Sequence, residues 1–242
     1  MKALILNSGL GSRMGDITST HPKCMTNLDQ EETIVSRQLN LLNECEIKSV
    51  VMTTGYYNEI LQEYCNNLGL GINITYVNNP KFNETNYIYS IYCAKDELHD
   101  DIIMMHGDLV FTLEVLKKVV QDKRSVMAVS STLPLPEKDF KSVITGDTIE
   151  KVGIDFFDSA YAAQPLYKIN KEDWEIWLNS IINFCENNNV KCYAENAFNV
   201  VSDKCKIYPL DVKDELCSEI DNPDDLEKIS QKLKQYKHGG NR

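Results

Sequence analysis

Residues 1–25 read MKALILNSGLGSRMGDITSTHPKCM, and most of the architecture follows from how they are interpreted. Ala3-Leu4-Ile5-Leu6 is an apolar run of the length and type of a buried strand. Asn7-Ser8-Gly9-Leu10-Gly11-Ser12-Arg13 comes next. Small residues let backbone N–H groups approach an anion closely, and consecutive N–H groups form a concave nest for phosphate. Arg13 adds a planar, permanently charged fork, and Pro22 stiffens the chain just before Lys23. The expectation is a strand, then a phosphate-cradling loop of Asn7, Ser8, Gly9, Gly11, Ser12 and Arg13, with Arg13 and Lys23 aimed at one polyphosphate. The plainer alternative is an ordinary strand-turn-helix with a glycine-rich turn. Two glycine motifs are excluded. The dinucleotide fingerprint needs glycine where Met14 stands, and the P-loop's Gly-Lys-Ser/Thr is absent.

Beyond this segment strands and helices alternate. Helical spacing covers 33–43 and 58–68, and apolar runs at 50–53 and 72–77 predict strands. That pattern belongs to an α/β fold, a parallel sheet with helices on both faces. The polar stretch 78–86 interrupts it, where Thr85 or Asn86 would cap a helix through Tyr92. Loops at the carboxyl ends of parallel strands bind ligands in such folds. There Asn86 can present donor and acceptor to a base edge, or simply cap the helix. Asp101-Ile102-Ile103-Met104-Met105-His106-Gly107-Asp108 is a strand ending in Gly-Asp. Asp108 then sits at the active edge of the sheet, as a hard oxygen ligand suited to Mg²⁺. His106 is expected to be structural. Residues 140–152 alternate like a small inserted hairpin turning at Gly146-Asp147. Trp174 and Trp177, at helical spacing, are expected in the core. Asp221 follows an apolar residue just before a helix opened by Pro223, where it can cap that helix or act as a metal carboxylate.

Bulk properties narrow the function. The chain has 242 residues, 43% hydrophobic and 25% charged, with net charge −11. A uniformly acidic surface repels phosphate backbones, so nucleic acid is not an expected partner. The eight cysteines form no C-x-x-C pair, which removes a zinc-ribbon reading. No apolar run reaches about 18 residues, and no signal segment precedes the first strand, so no membrane partner and a cytoplasmic location are expected. One domain over 1–236 is expected, with 237–242 a frayed tail or the start of a linker. A fused neighbour and a homodimer both stay open.

Leu6, Gly9, Gly11, Arg13, Pro22 and Lys23, taken in order, resemble the nucleotidyltransferase signature L-x-x-G-x-G-x-R followed by P-K. The chain departs from it at Asn7-Ser8, where that family often has two alanines. The resemblance implies a Rossmann-like, mainly parallel sheet of the nucleotide-diphospho-sugar transferase type. It implies that Asn86, in an N-x-I/L-Y-S segment, lines the nucleotide pocket. It also implies that Glu219-Ile220-Asp221-Asn222 supplies the second metal carboxylate. Residues 138–141, 156–168, 192–199 and 208–226 are similar to the phosphonate cytidylyltransferases, which make CMP-2-aminoethylphosphonate from CTP. Phosphocholine and sugar 1-phosphates are the alternative acceptors, and a CTP-binding sensor is the alternative without turnover. For a cationic acceptor, Tyr193 and Glu195 are the expected contacts, on the premise that 192–198 is extended and alternate residues share a side. Lys138 and Lys141 are the expected partners of its anionic end, surface solvation being the other reading for at least one of them.

Overall fold

The computed structural model describes residues 1–238. Strand β1 (Lys2–Asn7) is followed by helix α1 (Ile34–Glu44), β2 (Ser49–Thr54), α2 (Asn58–Asn67), β3 (Asn73–Asn78) and α3 (Tyr87–Cys93). Then come β4 (Ile102–His106), β5 (Leu109–Phe111), α4 (Leu113–Gln121), β6 (Val126–Ser130) and the hairpin β7 (Lys141–Thr145) and β8 (Thr148–Gly153). The chain continues through β9 (Ala160–Ile169), α5 (Lys171–Glu186), α6 (Ala194–Asn199), β10 (Tyr208–Asp211), β11 (Cys217–Glu219) and α7 (Pro223–His238). Residues 239–242, the end of the expected tail, lie outside the described residues.

The main sheet runs β10-β6-β9-β4-β1-β2-β3. Its strands are parallel except β9, which lies antiparallel between β4 and β6 and carries the β7–β8 hairpin on its extension. Alternation along β1 explains the layers. Ala3 and Ile5 point to a core with α1, α2 and α4, while Leu4 and Leu6 point to one with α3, α5 and α6. Both faces are covered, so β1 reads as a continuous apolar run.

Local chemistry sets the helix starts. Thr33 Oγ1 accepts from Ser36 N at 3.1 Å, and Ser36 Oγ accepts from Thr33 N at 2.9 Å, a reciprocal cap on α1. Trp174 and Trp177 are fully buried, as expected. Their indole N–H groups donate to Leu98 O at 2.8 Å and Ala194 O at 2.9 Å. Losing either ring would cost about 3–5 kcal/mol.

One expectation of local structure fails. Residues 194–199 are helical, not extended, because Asn196 Oδ1 accepts from Tyr193 N at 2.9 Å and starts a helix there. One feature was not anticipated: β5 and β11 form a separate antiparallel ribbon. Each strand has only three residues, too few for a periodic signal. A third apolar cluster joins α7 to it, with Ile229 and Leu233 packed with Val110 and with Met14 of the first loop. No described helix is long and apolar enough to cross a membrane.

Candidate active site

Register brings the first loop and the Gly-Asp turn to one edge. Leu6 of β1 is paired with His106 of β4, so residues 7–13 and Gly107-Asp108 leave the sheet side by side. The approach is close enough to require glycine at 107, where a Cβ would stand 1.6 Å from Asn7 Oδ1. Gly11 has φ 66°, and a Cβ on it would stand 2.8 Å from Lys23 Cβ. Two 3₁₀ turns broken by a kink at Gly15, where φ is 59°, span Ser12–Thr18, and another, Lys23–Met25, begins behind Pro22.

The β5–β11 ribbon completes the edge. Ile220 N donates to Asp108 O at 3.0 Å, which sets Glu219 and Asp221 beside Asp108. Lys23 Nζ donates to Asp108 Oδ2 at 2.6 Å and to Asp221 Oδ1 at 2.9 Å. Arg13 lies 2.9 Å from the same Asp221 oxygen, with its side chain 67% exposed. Four of the charged residues singled out in the sequence, Arg13, Lys23, Asp108 and Asp221, are therefore joined by direct contacts.

Glu219 and His106 are site neighbours that the sequence reading did not assign to it. His106 Nδ1 and Glu219 Oε1 are 2.8 Å apart, and ligand atoms of His106, Asp108 and Glu219 lie within 4.8 Å of one another. A signal for Glu219 was present: it stands only two residues before Asp221, at the end of β11. His106 Nε2 is buried without a hydrogen-bond partner.

The charges shape one another. Burial disfavours the Asp108 carboxylate, yet Lys23 and His106 hold it below the usual range. Burial works against the Lys23 ammonium, and Asp108 and Asp221 outweigh it and raise Lys23 above its ordinary value. Burial and the charge of Asp108 push Glu219 up to about 7, against the pull of His106. Burial alone would lower His106, but Glu219, Asp108 and Glu195 hold it up at about 9.

The carboxylates fit a hard divalent cation. Asp108 and Asp221 already converge on one positive group, the Lys23 ammonium, with Glu219 adjacent, and hard oxygen donors are what Mg²⁺ takes.

A cleft of about 540 Å³ opens here. Asn7, Ser8, Gly9, Gly11, Ser12, Arg13, Lys23, Asn86, Asp108, Lys138, Tyr193 and Asp221 all line it. Asn86 Oδ1 accepts from Tyr87 N at 2.7 Å, so it caps α3 as well.

Two expected acceptor contacts are placed elsewhere. Glu195 is 1% exposed and does not line the cleft, because it belongs to the first turn of α6. Its carboxylate accepts from Tyr167 Oη at 2.8 Å and from Tyr87 Oη. Lys141 is fully buried on β7, neither solvated nor in the cleft, and donates to Pro136 O at 2.5 Å. Instead an aromatic wall stands beside the carboxylates. Tyr193 packs edge-on to Phe140 at 4.9 Å between ring centres and lies 5.8 Å from Tyr87. The Tyr87 ring is 4.9 Å from that of His106.

The profile of the MobA-like NTP transferase domain matches residues 3–133. The chain belongs to that family. Among curated relatives, CTP:phosphoglutamine cytidylyltransferase of Campylobacter jejuni is 28% identical over 135 residues, covering 53% of this chain and 52% of the relative. CMP-5'-(3-aminopropyl)phosphonate synthase of Streptomyces rubellomurinus is 31% identical over 135 residues, covering 56% of this chain and 21% of the relative. These matches span about half or less of those relatives' length. The solved inositol-1-phosphate CTP transferase of T. maritima superposes with a TM-score of 0.80 at 21% identity, covering 98% of this chain and 96% of the other. The mainly parallel sheet with helices on both faces is thus the fold of this NTP transferase-family member.

Proposed function

We propose that this chain is a CTP-dependent cytidylyltransferase that uses Mg²⁺ and whose acceptor is 2-aminoethylphosphonate. The observation that carries the reading is the meeting of Arg13, Lys23, Asp108 and Asp221 at the mouth of one cleft, next to the glycine loop. In the reaction a phosphonate oxygen attacks the α-phosphorus of CTP. A new P–O bond forms, the bond from the α-phosphorus to the α–β bridging oxygen breaks, and pyrophosphate leaves with that electron pair. The oxygen is already anionic near neutral pH, so no general base is required. The work left to the protein is to bring two anions together and stabilise the developing charge. Asn7, Ser8, Gly9, Gly11 and Ser12 offer backbone and side-chain donors to the phosphates, Asn86 faces the base, Lys23 neutralises the reacting phosphoryl group and Arg13 the departing pyrophosphate. Asp108 and Asp221, with Glu219, would hold Mg²⁺, which supplies further charge neutralisation on the triphosphate.

The acceptor reading rests on the aromatic wall. An ammonium lying against Tyr193, Phe140 and Tyr87 gains cation–π attraction, with the Glu195 carboxylate behind Tyr87 adding a favourable field. Lys138, on the rim, meets the phosphonate. The similarity to a synthase of CMP-5'-(3-aminopropyl)phosphonate supports an aminoalkylphosphonate of this kind.

Pyrophosphate release is the test, with CTP and Mg²⁺ against 2-aminoethylphosphonate, phosphocholine and a sugar 1-phosphate. Fastest release with 2-aminoethylphosphonate is expected. Faster release with phosphocholine or the sugar phosphate would replace the acceptor assignment. CTP binding without release from any of them would favour a sensor.

A further inference from the structure

Lys23 sits where a divalent cation would need to be. Its ammonium contacts Asp108 and Asp221 together, and its side chain is only 12% exposed. The start of the side chain is held against the first loop, since only the missing Cβ of Gly11 leaves room for Lys23 Cβ. Arg13 also reaches Asp221, but through solvent-exposed atoms, so water screens that contact strongly.

A metal ion arriving alone faces two costs. It must take carboxylate oxygens already engaged by an ammonium, and it must leave that ammonium partly buried beside a second positive charge. A polyphosphate removes both obstacles, because it gives the ammonium a new anionic partner. We infer that Lys23 is an internal counter-ion that keeps divalent cations off Asp108 and Asp221 until a polyphosphate draws it away. The inference rests on the cytidylyltransferase reading for the identity of the polyphosphate. The exclusion of metal from the nucleotide-free chain rests on the contacts alone.

The probe is Mn²⁺ added to the nucleotide-free chain, with free ion followed by its electron paramagnetic resonance signal. Lys23→Met should bind Mn²⁺ about tenfold or more tighter than wild type, since one lost positive charge beside two carboxylates is worth at least that factor. Lys23→Gln should do the same, which guards against one variant folding poorly, with circular dichroism as the check on folding. Adding Asp221→Asn to Lys23→Met should remove the gain. Folded Lys23 variants that bind Mn²⁺ no tighter than wild type would overturn the inference. So would a gain that survives Asp221→Asn, because the ion would then lie elsewhere on this acidic protein. Pyrophosphate release by the wild type is read separately. Its absence counts against the transferase reading and leaves the Mn²⁺ comparison intact.

Discussion

The two ends of the cleft are built differently. The phosphate end is made at strand ends: the loop after β1, the turn after β4 and the residues after β11 converge, and their charges meet within 2.9 Å. The acceptor end is made from helix starts and a loop: Tyr87 opens α3, Tyr193 precedes α6 and Phe140 precedes β7. Charge and position on a rigid sheet define the first, and shape and π-faces on packed helices define the second. The phosphate end should therefore respond to substitution in turnover, and the acceptor end in affinity.

The largest effect is expected at the carboxylates. Asp108→Asn and Asp221→Asn should each lower kcat by roughly 10³-fold or more, with the circular dichroism spectrum unchanged, because each would remove a metal ligand. Near-normal turnover in both variants would break the division between the two ends. Next is Lys23→Ala, where kcat for pyrophosphate release should fall by about 10²-fold, the loss typical of one group that stabilises transition-state charge. A modest rise in KM as its sole defect would move Lys23 out of the reacting centre.

Effects at the acceptor end should be smaller and of another kind. Tyr193→Ala should raise KM for 2-aminoethylphosphonate by about tenfold while KM for CTP stays within about twofold, as expected for a lost cation–π contact. An uncharged alkylphosphonate of the same length should not register the change. Equal damage to CTP and acceptor would make the aromatic wall a packing feature.

The smallest expected effect concerns stability without metal. His106 titrates at about 9 in the fold against 6.5 as a free side chain, so the folded state holds this proton more tightly. The stability it adds is complete below pH 6.5 and is lost as pH rises toward 9. In chelator, the urea midpoint of wild type should fall between pH 7 and pH 9, above the range in which Glu219 gives a loss of the same sign, and that of His106→Gln should fall less. Parallel curves would show that the pair with Glu219 is not the source.

The same contrast explains what was legible in the sequence. Parallel strands buried on both faces read as continuous apolar runs, and polar residues directly after them stand at the sheet edge. Asn7 to Arg13, Asp108 and the alternation of strands and helices through β3 could thus be read in order. Lys23 and Asp221 were visible as residue types in a pattern, but their contact depends on a ribbon of two three-residue strands that periodicity does not register. The rule that alternate residues share a side fails at Tyr193 and Glu195, where a side-chain cap turns the chain into a helix, while Glu219 and Asp221, at and just past the end of β11, both line the cleft. Lys141 shows a further limit. A lysine beside other charged residues reads as solvated, yet the extension of β9 pairs with β7 and buries it.

The ribbon also makes the charged centre report on the completeness of the chain. A polypeptide emerging from the ribosome presents the glycine loop, Lys23 and Asp108 early, and by Asp211 it has every strand of the main sheet. It still has neither Glu219 nor Asp221, and β5 has no partner strand. Closing that last ribbon joins segments far apart in sequence and carries the loop-closure cost of a distant contact. An unfinished or clipped chain that ends before β11 therefore lacks the second carboxylate of its charged centre, however much of the main sheet it contains.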